Sequence, residues 1–333
     1  MKNTLDLLSI GDASLDVFLT PTETELLCSV DKKECKVCFS YGDKIPVKNL
    51  DFSVGGNAAN NAVGVSRLGL KSALVLTLGD DPTAREIIEG LKKEEVDITY
   101  VIQQPATSSN YSTVVSYAGE RTIFSYHAPR SYEFPVNLPK VPWVYLTSMG
   151  ESFWPFYNHI VDWVKANPGV KLVFNPGSYQ LRAERQIIEP VLALTYIIFA
   201  NREEAEKLTG MKAPSGQEKE LLSSLAKLGP KICVITDGGN GSFLFDSQSG
   251  KYYKSGVLPV DAYERTGAGD AFGSGCLTAI IKGKSFEEAL LWGTLNSSSV
   301  IGYTGPQKGL LKEADMSVWL ERAKSSGVMT GEF

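Results

Sequence analysis

Short runs of apolar, strand-forming residues alternate with helical patterns along most of the chain. The predicted strands span residues 5–10, 73–78, 143–146, 171–174, 196–199 and 232–235. The predicted helices, in which apolar residues recur at helical spacing, span 57–68, 82–93, 153–166, 201–208, 217–228, 268–281, 286–300 and 316–323. This alternation predicts an α/β fold with a central, mostly parallel sheet covered by helices on both faces.

Two stretches, about 20–54 and 98–128, interrupt the alternation. The first is polar and lacks helical periodicity. The second alternates like paired strands, with Tyr111 on one face and Ser112 on the other. We therefore predict one α/β domain over residues 1–333, from which both stretches depart to form a small β lid. Two ordinary surface insertions are the alternative.

Composition and charge narrow the class of protein. Of the 333 residues, 43% are hydrophobic and 21% are charged, which is typical of a globular protein. The net charge of −5 has the wrong sign for a protein that binds nucleic acid or an anionic membrane. The longest apolar run, 191–200, is too short to span a bilayer, and the acidic Asp6 interrupts any secretory signal. We expect a cytoplasmic protein whose partner is a small molecule.

The five cysteines are Cys28, Cys35, Cys38, Cys233 and Cys276. An odd number in a long chain without an export signal predicts reduced thiols rather than a disulfide framework. Cys35 and Cys38 have the spacing of zinc ligands, but a closed site needs a fourth ligand that the neighbouring sequence lacks. The sequence therefore favours cysteines that bind no metal.

A late glycine-rich segment, 266–275, is the strongest candidate for chemistry. An apolar helical pattern begins there, so Gly267, Ala268 and Gly269 can direct unpaired N–H groups at an anion. Asp270 follows beside that anion, where its carboxylate suits a base acting on an attacking hydroxyl. The alternative is a tightly packed helix start in which the aspartate only compensates the helix dipole.

An earlier segment combines the diglycine Gly55-Gly56 with Asn57, Asn60 and Asn61. The three asparagines fall on one face of a predicted helix. Amides both donate and accept hydrogen bonds, which suits a ligand rich in hydroxyl groups, such as a sugar. The alternative is that Asn57 caps the helix and the other two amides are solvated.

Polar side chains also follow three predicted strands. Asp12, Ser14 and Asp16 alternate after the first strand, and they form either a hydroxyl-binding face or an exposed strand face. Two further segments, 201–204 and 236–241, lie at strand carboxyl ends, where open α/β sheets bind ligands. Helix capping in the first and a hairpin turn in the second would explain them without any function.

Other familiar sites are missing from the sequence. It contains neither a Gly-x-x-x-x-Gly-Lys-[Ser/Thr] phosphate loop nor a Gly-x-Gly-x-x-Gly segment after the first strand. The only histidines are His127 and His159. This scarcity argues against a histidine-rich metal site and against a conventional hydrolase triad.

In this order, these segments resemble the PfkB (ribokinase-like) family of carbohydrate kinases over nearly the whole chain. The two most specific stretches are Gly55-Gly56-Asn57-Ala58-Ala59-Asn60 and Thr266-Gly267-Ala268-Gly269-Asp270-Ala271-Phe272. The resemblance implies a ribokinase-like fold with a small lid that mediates dimerisation. It also implies an enzyme that uses ATP and Mg²⁺ to phosphorylate an alcohol group.

The resemblance further implies a role for each matching residue. Asp270 would be the general base, and Gly267, Ala268 and Gly269 would form the anion hole. The residues implied for the nucleotide are Asn201, Thr236, Gly238, Gly241 and Asn296, with Glu204 positioning Mg²⁺ through water. The residues implied for the substrate hydroxyls are Asp12, Asp16, Gly55, Gly56, Asn57 and Asn60.

The sequence departs from the family at Glu264-Arg265-Thr266. Many relatives have aspartate where Glu264 stands, and that aspartate commonly supports a potassium-type cation. The longer glutamate leaves activation by potassium in doubt. Arg265 is either an additional phosphate ligand or a solvated side chain, and the sequence favours the second.

We expect an ATP-dependent kinase that phosphorylates a primary hydroxyl of a sugar. A nucleoside kinase would need aromatic side chains on the lid, for which the candidates are Phe39, Tyr41, Tyr111 and Tyr126. A phosphosugar kinase would need a basic cluster, for which the candidates are Lys44, Lys48, Arg121 and Arg130. A sugar-binding regulator without activity is a further alternative, although such a protein has no need of a base at Asp270.

Overall fold

The structure is a computed structural model that describes residues 5–29, 35–117 and 120–333. The strands in these ranges are β1 (Leu7–Ile10), β2 (Ser14–Pro21), β3 (Glu25–Cys28), β4 (Cys35–Cys38), β5 (Val47–Gly55), β6 (Ser72–Gly79), β7 (Val101–Gln104), β8 (Asn110–Tyr117), β9 (Glu120–Tyr126), β10 (Trp143–Leu146), β11 (Lys171–Phe174), β12 (Thr195–Asn201), β13 (Ile232–Thr236), β14 (Ser242–Asp246), β15 (Lys251–Ser255) and β16 (Thr330–Glu332).

The helices in the same ranges are α1 (Asn57–Arg67), α2 (Pro82–Lys93), α3 (Trp154–Ala166), α4 (Ser178–Arg182), α5 (Arg185–Leu194), α6 (Arg202–Thr209), α7 (Glu218–Ala226), α8 (Ala268–Ile281), α9 (Phe286–Val300) and α10 (Met316–Ser325). Short 3₁₀ turns lie at Glu151–Phe153, Gly238–Asn240 and Glu313–Asp315. None of the helices in the described ranges combines the length and the apolar composition that crossing a membrane requires.

The main sheet has the strand order β16-β15-β14-β13-β12-β11-β10-β1-β6-β7. Every neighbouring pair from β7 to β13 is parallel, whereas β14, β15 and β16 extend the sheet with antiparallel pairs. Parallel strands need helical crossovers, and these supply the helices that cover the sheet. The hairpin turn given as the alternative for 236–241 is present, since it joins β13 to β14, whereas the sequence did not predict β15 and β16.

Helices cover both faces of this sheet. Adjacent residues of a strand point to opposite faces, and in β1 both sets of side chains are buried. On β1, Leu8 packs into a core that includes Phe156 from α3 and Leu221 from α7. Its neighbour Leu7 packs on the other side, against Leu277 from α8 and Leu295 from α9. The prediction of a mostly parallel sheet between two helical layers is confirmed.

The predicted helices lie within a few residues of the observed ones, but α4 and α5 were missed. Pro190 lies inside α5 and interrupts its helical pattern. The apolar end of α5 also runs directly into β12, so the sequence reads as one long apolar run across the boundary. Ile188, Val191 and Leu192 are buried in the core, and this packing stabilises the helix despite the proline.

A separate small sheet has the order β5-β2-β8-β9. Strand β2 is antiparallel to β5 and parallel to β8, which is antiparallel to β9. The predicted boundaries of the lid are wrong at one point, because β7 pairs with β6 at the edge of the main sheet. The small sheet also contains β2. The prediction had placed the polar residues of this strand after the first strand of the main sheet and outside the lid.

The expectation that all cysteines are reduced is wrong for one pair. Strands β3 and β4 form an antiparallel hairpin in which Cys28 and Cys35 are directly opposite. These two residues form a disulfide, whereas Cys38, Cys233 and Cys276 are free. The pairing depends on the register of the hairpin, which the number of cysteines does not reveal.

Candidate active site

The amino terminus of α8 forms the centre of the site. Gly267 precedes the helix with a left-handed φ of 77°. A side chain there would be strained, and its Cβ would lie 2.4 Å from Cβ of Pro306. Gly269 faces open space within 4 Å of where its Cβ would be. The first turn of α8 is therefore accessible to a ligand, although the N–H of Ala268 also donates to the carbonyl of Arg265 at 3.3 Å.

Two cavities meet at this helix terminus. The larger has a volume of about 420 Å³ and lies between the turn after β13, the loop before α8, and α9. The smaller, of about 200 Å³, lies at the carboxyl ends of β11 and β12. The residues that line both cavities are Thr236, Gly269 and Phe272. The arrangement suits a ligand that extends from one cavity into the other.

Asp270 lines the smaller cavity, directly after Gly269. Burial raises the pKa of its carboxyl group to about 6, against the effect of a hydrogen bond from Asn60. The negative charges of Glu204 and Asp16 raise the pKa further. A carboxylate with a pKa near neutrality can accept a proton from a substrate and release it again.

The diglycine segment brings the start of α1 close to β2. A Cβ on Gly55 would lie 2.0 Å from Oδ2 of Asp16, so the carboxylate occupies the space of a missing side chain. Gly56 has a φ of 89°, and a Cβ there would lie 2.6 Å from the carbonyl oxygen of Asp12. Asn57 begins α1 and lines the smaller cavity.

Asn60 lies one turn further along α1 and contacts the late helix directly. Its Nδ2 donates to Oδ2 of Asp270 at 2.8 Å, while its Oδ1 accepts from Nε2 of Gln307 at 3.0 Å. The third asparagine, Asn61, points elsewhere and accepts a hydrogen bond from the hydroxyl of Ser9. The three amides predicted to share one ligand therefore have different surroundings.

Asp12 and Asp16 are both buried, and burial raises the pKa of both carboxyl groups. Asp12 accepts hydrogen bonds from the Tyr132 hydroxyl at 2.8 Å and from the N–H of Gly150 at 2.9 Å. Asp16 accepts from the hydroxyl of Ser14 at 2.8 Å. The structure thus brings Asp16 near Asp270, whereas Asp12 is held by the segment before α3.

Asn201 and Glu204 form a reciprocal cap at the start of α6. Oδ1 of Asn201 accepts from the N–H of Glu204 at 2.9 Å, and Oε2 of Glu204 accepts from the N–H of Asn201 at 2.9 Å. Both residues also line the smaller cavity. Burial raises the pKa of Glu204 although the Asn201 N–H lowers it. Capping and ligand binding are therefore compatible here.

The turn after β13 lines the larger cavity. Thr236 ends the strand, and Gly238 and Gly241 border the 3₁₀ turn that follows. Gly241 has a φ of 93°, and a Cβ there would lie 2.2 Å from the carbonyl oxygen of Ser255. Only glycine allows the main chain of the turn to lie this close to Ser255, and the turn borders the cavity with main-chain atoms.

Asn296, which the resemblance implied for the nucleotide, lines neither of the two cavities. Its amide is fully buried, with Nδ2 donating to the carbonyl of Ala271 at 2.8 Å and Oδ1 accepting from the N–H of Leu311 at 2.8 Å. The side chain therefore joins α9 to α8 instead of facing a ligand. The residues of α9 that line the larger cavity are Thr294, Ser297 and Ser298.

Glu264 and Arg265 precede the helix terminus. Oε1 of the buried Glu264 accepts from the N–H of Thr266 at 2.7 Å and lies 3.5 Å from the guanidinium of Arg121. Oε2 of Glu264 is buried without a hydrogen-bond partner in the described part of the chain. Arg265 is exposed and lines the larger cavity.

Sequence reasoning missed three residues of this region. Asn175 follows β11 and lines the smaller cavity, so its position at a strand carboxyl end could have revealed it. Tyr132 and Gln307 lie in irregular segments, and only the tertiary structure brings them to Asp12 and Asn60.

Comparison with known proteins first defines the fold. A ribokinase from Arabidopsis thaliana, solved in complex with ribose and ATP, superimposes with a TM-score of 0.78 and 22% sequence identity. The match covers 96% of this chain and 99% of that chain. The chain therefore has the ribokinase fold.

The family follows from the sequence comparisons. The model of the pfkB family of carbohydrate kinases matches residues 23–313, and the chain belongs to this family. The ribokinase of Haemophilus influenzae is 26% identical, over 85% of this chain and 92% of that protein. A nucleoside kinase of Methanothermobacter thermautotrophicus is 25% identical, over 77% of this chain and 81% of that protein. The predicted family is confirmed.

Proposed function

We propose that the protein transfers the terminal phosphoryl group of ATP to a primary hydroxyl of a sugar, with Asp270 as general base. The observation that carries this proposal is the position of Gly269 and Asp270 where the two cavities meet. ATP would occupy the larger cavity with its phosphates toward Gly269. The acceptor hydroxyl would approach Asp270 from the smaller one.

In this arrangement each group of the chain has a defined task. Oδ2 of Asp270 is engaged by Asn60, so Oδ1 is the oxygen that would take the hydroxyl proton. The N–H groups at the start of α8 would stabilise the negative charge of the migrating phosphoryl group. Asp16 and Asn57 would hold further hydroxyls of the acceptor. Phosphoryl transfer needs this alignment and charge stabilisation more than covalent chemistry.

Glu204 fits a Mg²⁺ ion bound together with ATP. Glu204 lines the smaller cavity, and burial raises the pKa of its carboxyl group, so a cation beside it would be stabilising. No three acidic, histidine or cysteine side chains in the described ranges converge on a metal position by themselves. Mg²⁺ usually retains waters and binds substrate phosphates, which agrees with this donor set. When bound, the ion would neutralise phosphate charge.

A monovalent cation near Glu264 is also part of the proposal. Its Oε2 is buried without a hydrogen-bond partner in the described ranges, and an unpartnered buried carboxylate oxygen is unfavourable. A potassium ion would satisfy it. Arg121 lies on the side of Oε1, so it leaves Oε2 available.

We assign Arg265 to the phosphates of ATP. It is the one Lys or Arg side chain among the described residues that line the two cavities, whereas Glu204 and Asp270 contribute negative charge. A guanidinium at this point would offset the charge of the triphosphate. This assignment replaces the expectation of a solvated side chain.

The acceptor is a sugar in this proposal, although a relative is a nucleoside kinase. Asp16 pairs with Ser112 in the small sheet, while Tyr111 pairs with Leu15 and with Tyr126. Adjacent residues of a strand point to opposite faces, so both tyrosines lie on the face away from Asp16. They are therefore badly placed to stack on a base bound beside Asp16.

Two of the four candidates for a phosphosugar site have their charged groups engaged by other parts of the chain. The guanidinium of the buried Arg130 donates to the carbonyls of Thr77 and Ser108, and Arg121 faces Glu264. Main-chain carbonyls and a carboxylate thus occupy the two arginines. We therefore propose an acceptor without a phosphate group.

We also propose that the small sheet is a lid through which two copies of the chain associate. Phe52, Val17, Thr113 and Phe124 lie in one row across its four strands. Phe52 is 63% exposed and Phe124 is 60% exposed. Val17 is buried, so the two phenylalanines are the exposed apolar part of this row, and exposed apolar side chains of this kind suit a self-complementary, two-fold interface.

A screen of ATP consumption tests the function. The purified protein would be assayed with pentoses, hexoses, sugar acids and nucleosides, each with and without potassium. We expect consumption with one group of sugars, and potassium stimulation if the ion binds near Glu264. Turnover confined to nucleosides would show that the acceptor is a nucleoside and not a free sugar. Absence of acceptor-dependent consumption would contradict the kinase proposal.

A further inference from the structure

A chain of three side chains leads from the loop before α10 to Asp270. Nε2 of Gln307 donates to Oδ1 of Asn60 at 3.0 Å, and Nδ2 of Asn60 donates to Oδ2 of Asp270 at 2.8 Å. Gln307 is 8% exposed and Asn60 is 3% exposed. Buried polar groups of this kind hold their geometry because alternative partners are scarce.

The orientation of the Asn60 amide decides what Asp270 contacts. The two ends of an asparagine amide are nearly equal in size, but one donates hydrogen bonds and the other accepts them. If Asn60 were reversed, its carbonyl oxygen would face the carboxylate of Asp270. Because Gln307 donates to Oδ1, the amide is held with Nδ2 toward Asp270.

The position of Gln307 is itself fixed relative to α1, the helix that carries Asn60. Arg67, at the end of α1, donates to the carbonyls of Gln307 at 2.7 Å and Leu310 at 3.0 Å. Glu94 holds the same guanidinium through two bonds of 2.7 Å. The loop and the helix therefore form one rigid frame for the amide.

We propose that Gln307 is a positioning residue that acts through Asn60 to keep one oxygen of Asp270 engaged and the other free for the acceptor hydroxyl. This inference rests on the proposed role of Asp270 as base. It reassigns Asn60, which the resemblance implied as a ligand of the substrate, to the orientation of the base.

The inference predicts how Asp270 titrates. The groups whose charge or hydroxyl faces Asp270 are Glu204 from α6, Asp16 from β2 and Tyr145 from β10. Asn60 opposes the two carboxylates by stabilising the ionised form. Without Gln307, the amide can reverse and accept from the protonated carboxyl group, so the pKa of Asp270 would rise.

Titration of the aspartate side-chain carboxyl carbons by NMR tests this in the full-length protein. The resonance of Asp270 is the one absent from Asp270→Asn. We expect Gln307→Met to raise its pKa by about one to two units, the effect of one hydrogen bond to a charged group. In an Asn60→Ala background, the same substitution should cause no further shift.

Two variants guard against a merely structural effect. Thr195→Val removes a buried hydrogen bond from the far end of β12, and it should lower stability without moving the titration of Asp270. Gln307→Glu keeps the shape of the side chain, and its charge would draw Nδ2 of Asn60 away from Asp270. We expect it to raise the pKa of Asp270 more than Gln307→Met does.

An unchanged pKa of Asp270 in both Gln307 variants would overturn the inference. So would an equal shift in the Asn60→Ala background, because Gln307 would then act by another route. Failure of the kinase proposal is separately visible as a lack of acceptor-dependent ATP consumption by the wild-type protein. The titration does not depend on an acceptor, so it still reports whether Gln307 orients Asp270.

Discussion

Asn60 and Asp270 are separated by 210 positions in the sequence, and a hydrogen bond of 2.8 Å joins their side chains. This contact requires α1 and α8 to approach closely. Small residues permit the approach, since a Cβ on Gly64 of α1 would lie 2.3 Å from the hydroxyl of Ser274 on α8. The two glycine-rich segments of the sequence are therefore parts of a single site.

Replacing Asp270 with asparagine should nearly abolish phosphoryl transfer. The substituted amide would still accept the hydrogen bond from Asn60, but it could not take a proton from the acceptor. We expect turnover to fall by about 10²–10⁴-fold, the usual effect of a lost general base, with ATP binding retained. Acceptor-dependent ADP release and calorimetric ATP titration would measure the two effects. The exposed Asp162→Asn is the matched control, and unchanged turnover in Asp270→Asn would remove the catalytic assignment.

The same substitution should stabilise the folded protein above pH 6. Burial raises the pKa of Asp270 from 3.8 to about 6, so the folded state binds the proton more tightly than the unfolded state. Its contribution to stability therefore decreases as the pH rises through this window. Asp270→Asn avoids that loss, and we expect a gain of about 1–3 kcal/mol at pH 8 and almost none at pH 3.5. Melting temperatures across this range measure it, and an equal gain at both pH values would contradict the argument.

Glu204→Gln should increase the concentration of Mg²⁺ that the enzyme needs. The glutamine oxygen can still accept from the N–H of Asn201, so the substitution removes charge while keeping the helix cap. We expect the half-saturating Mg²⁺ concentration to rise about tenfold, in line with the loss of one charged interaction. Glu203→Gln, an exposed neighbour in the same turn, should leave it unchanged. If Glu204→Gln titrates like the wild type, the residue only caps α6.

The sequence predicts the parts of the fold that depend on local patterning. The bounds of α2, α8 and α9 agree with the prediction, because the residues of each helix and the residue directly before it are local features of the sequence. Strand β7 was misassigned, since its partner in the main sheet is decided by packing and not by its own sequence.

The site shows the same division. The sequence predicted Asp270 and Gly269 as neighbours at a ligand site because both belong to one short segment, and both line the smaller cavity. The position of Asn296 was not predictable, since only the folded structure shows that its amide bonds to the main chains of Ala271 and Leu311 and not to a ligand. Gln307 was missed because its contact with Asn60 spans 247 positions and has no local signature.

A charged residue on the exposed face of the small sheet should disrupt dimerisation. Phe124→Lys would place an ammonium group in the apolar row that a second copy is proposed to cover, where its desolvation is unfavourable. We expect a monomer for this variant and a dimer for the wild type, measured by light scattering after gel filtration. Val318→Lys changes an exposed apolar residue on α10 and should remain dimeric. A wild-type monomer, or a dimeric Phe124→Lys variant, would exclude this interface.

Arg265→Gln should weaken the binding of ATP without affecting adenosine. The proposed contact is with phosphate groups, and a hydrogen bond between two charged groups contributes about 1.5–3 kcal/mol, or roughly 10–100-fold in affinity. Adenosine lacks the phosphates, so its dissociation constant should be unchanged if the cavity keeps its shape. Calorimetric titration of both ligands measures the difference. Arg322→Gln, on the surface of α10, is the control for loss of one positive charge. Equal weakening of ATP and adenosine binding would mean that Arg265 only shapes the cavity. Unchanged ATP affinity would mean that Arg265 is a solvated side chain without a role in binding.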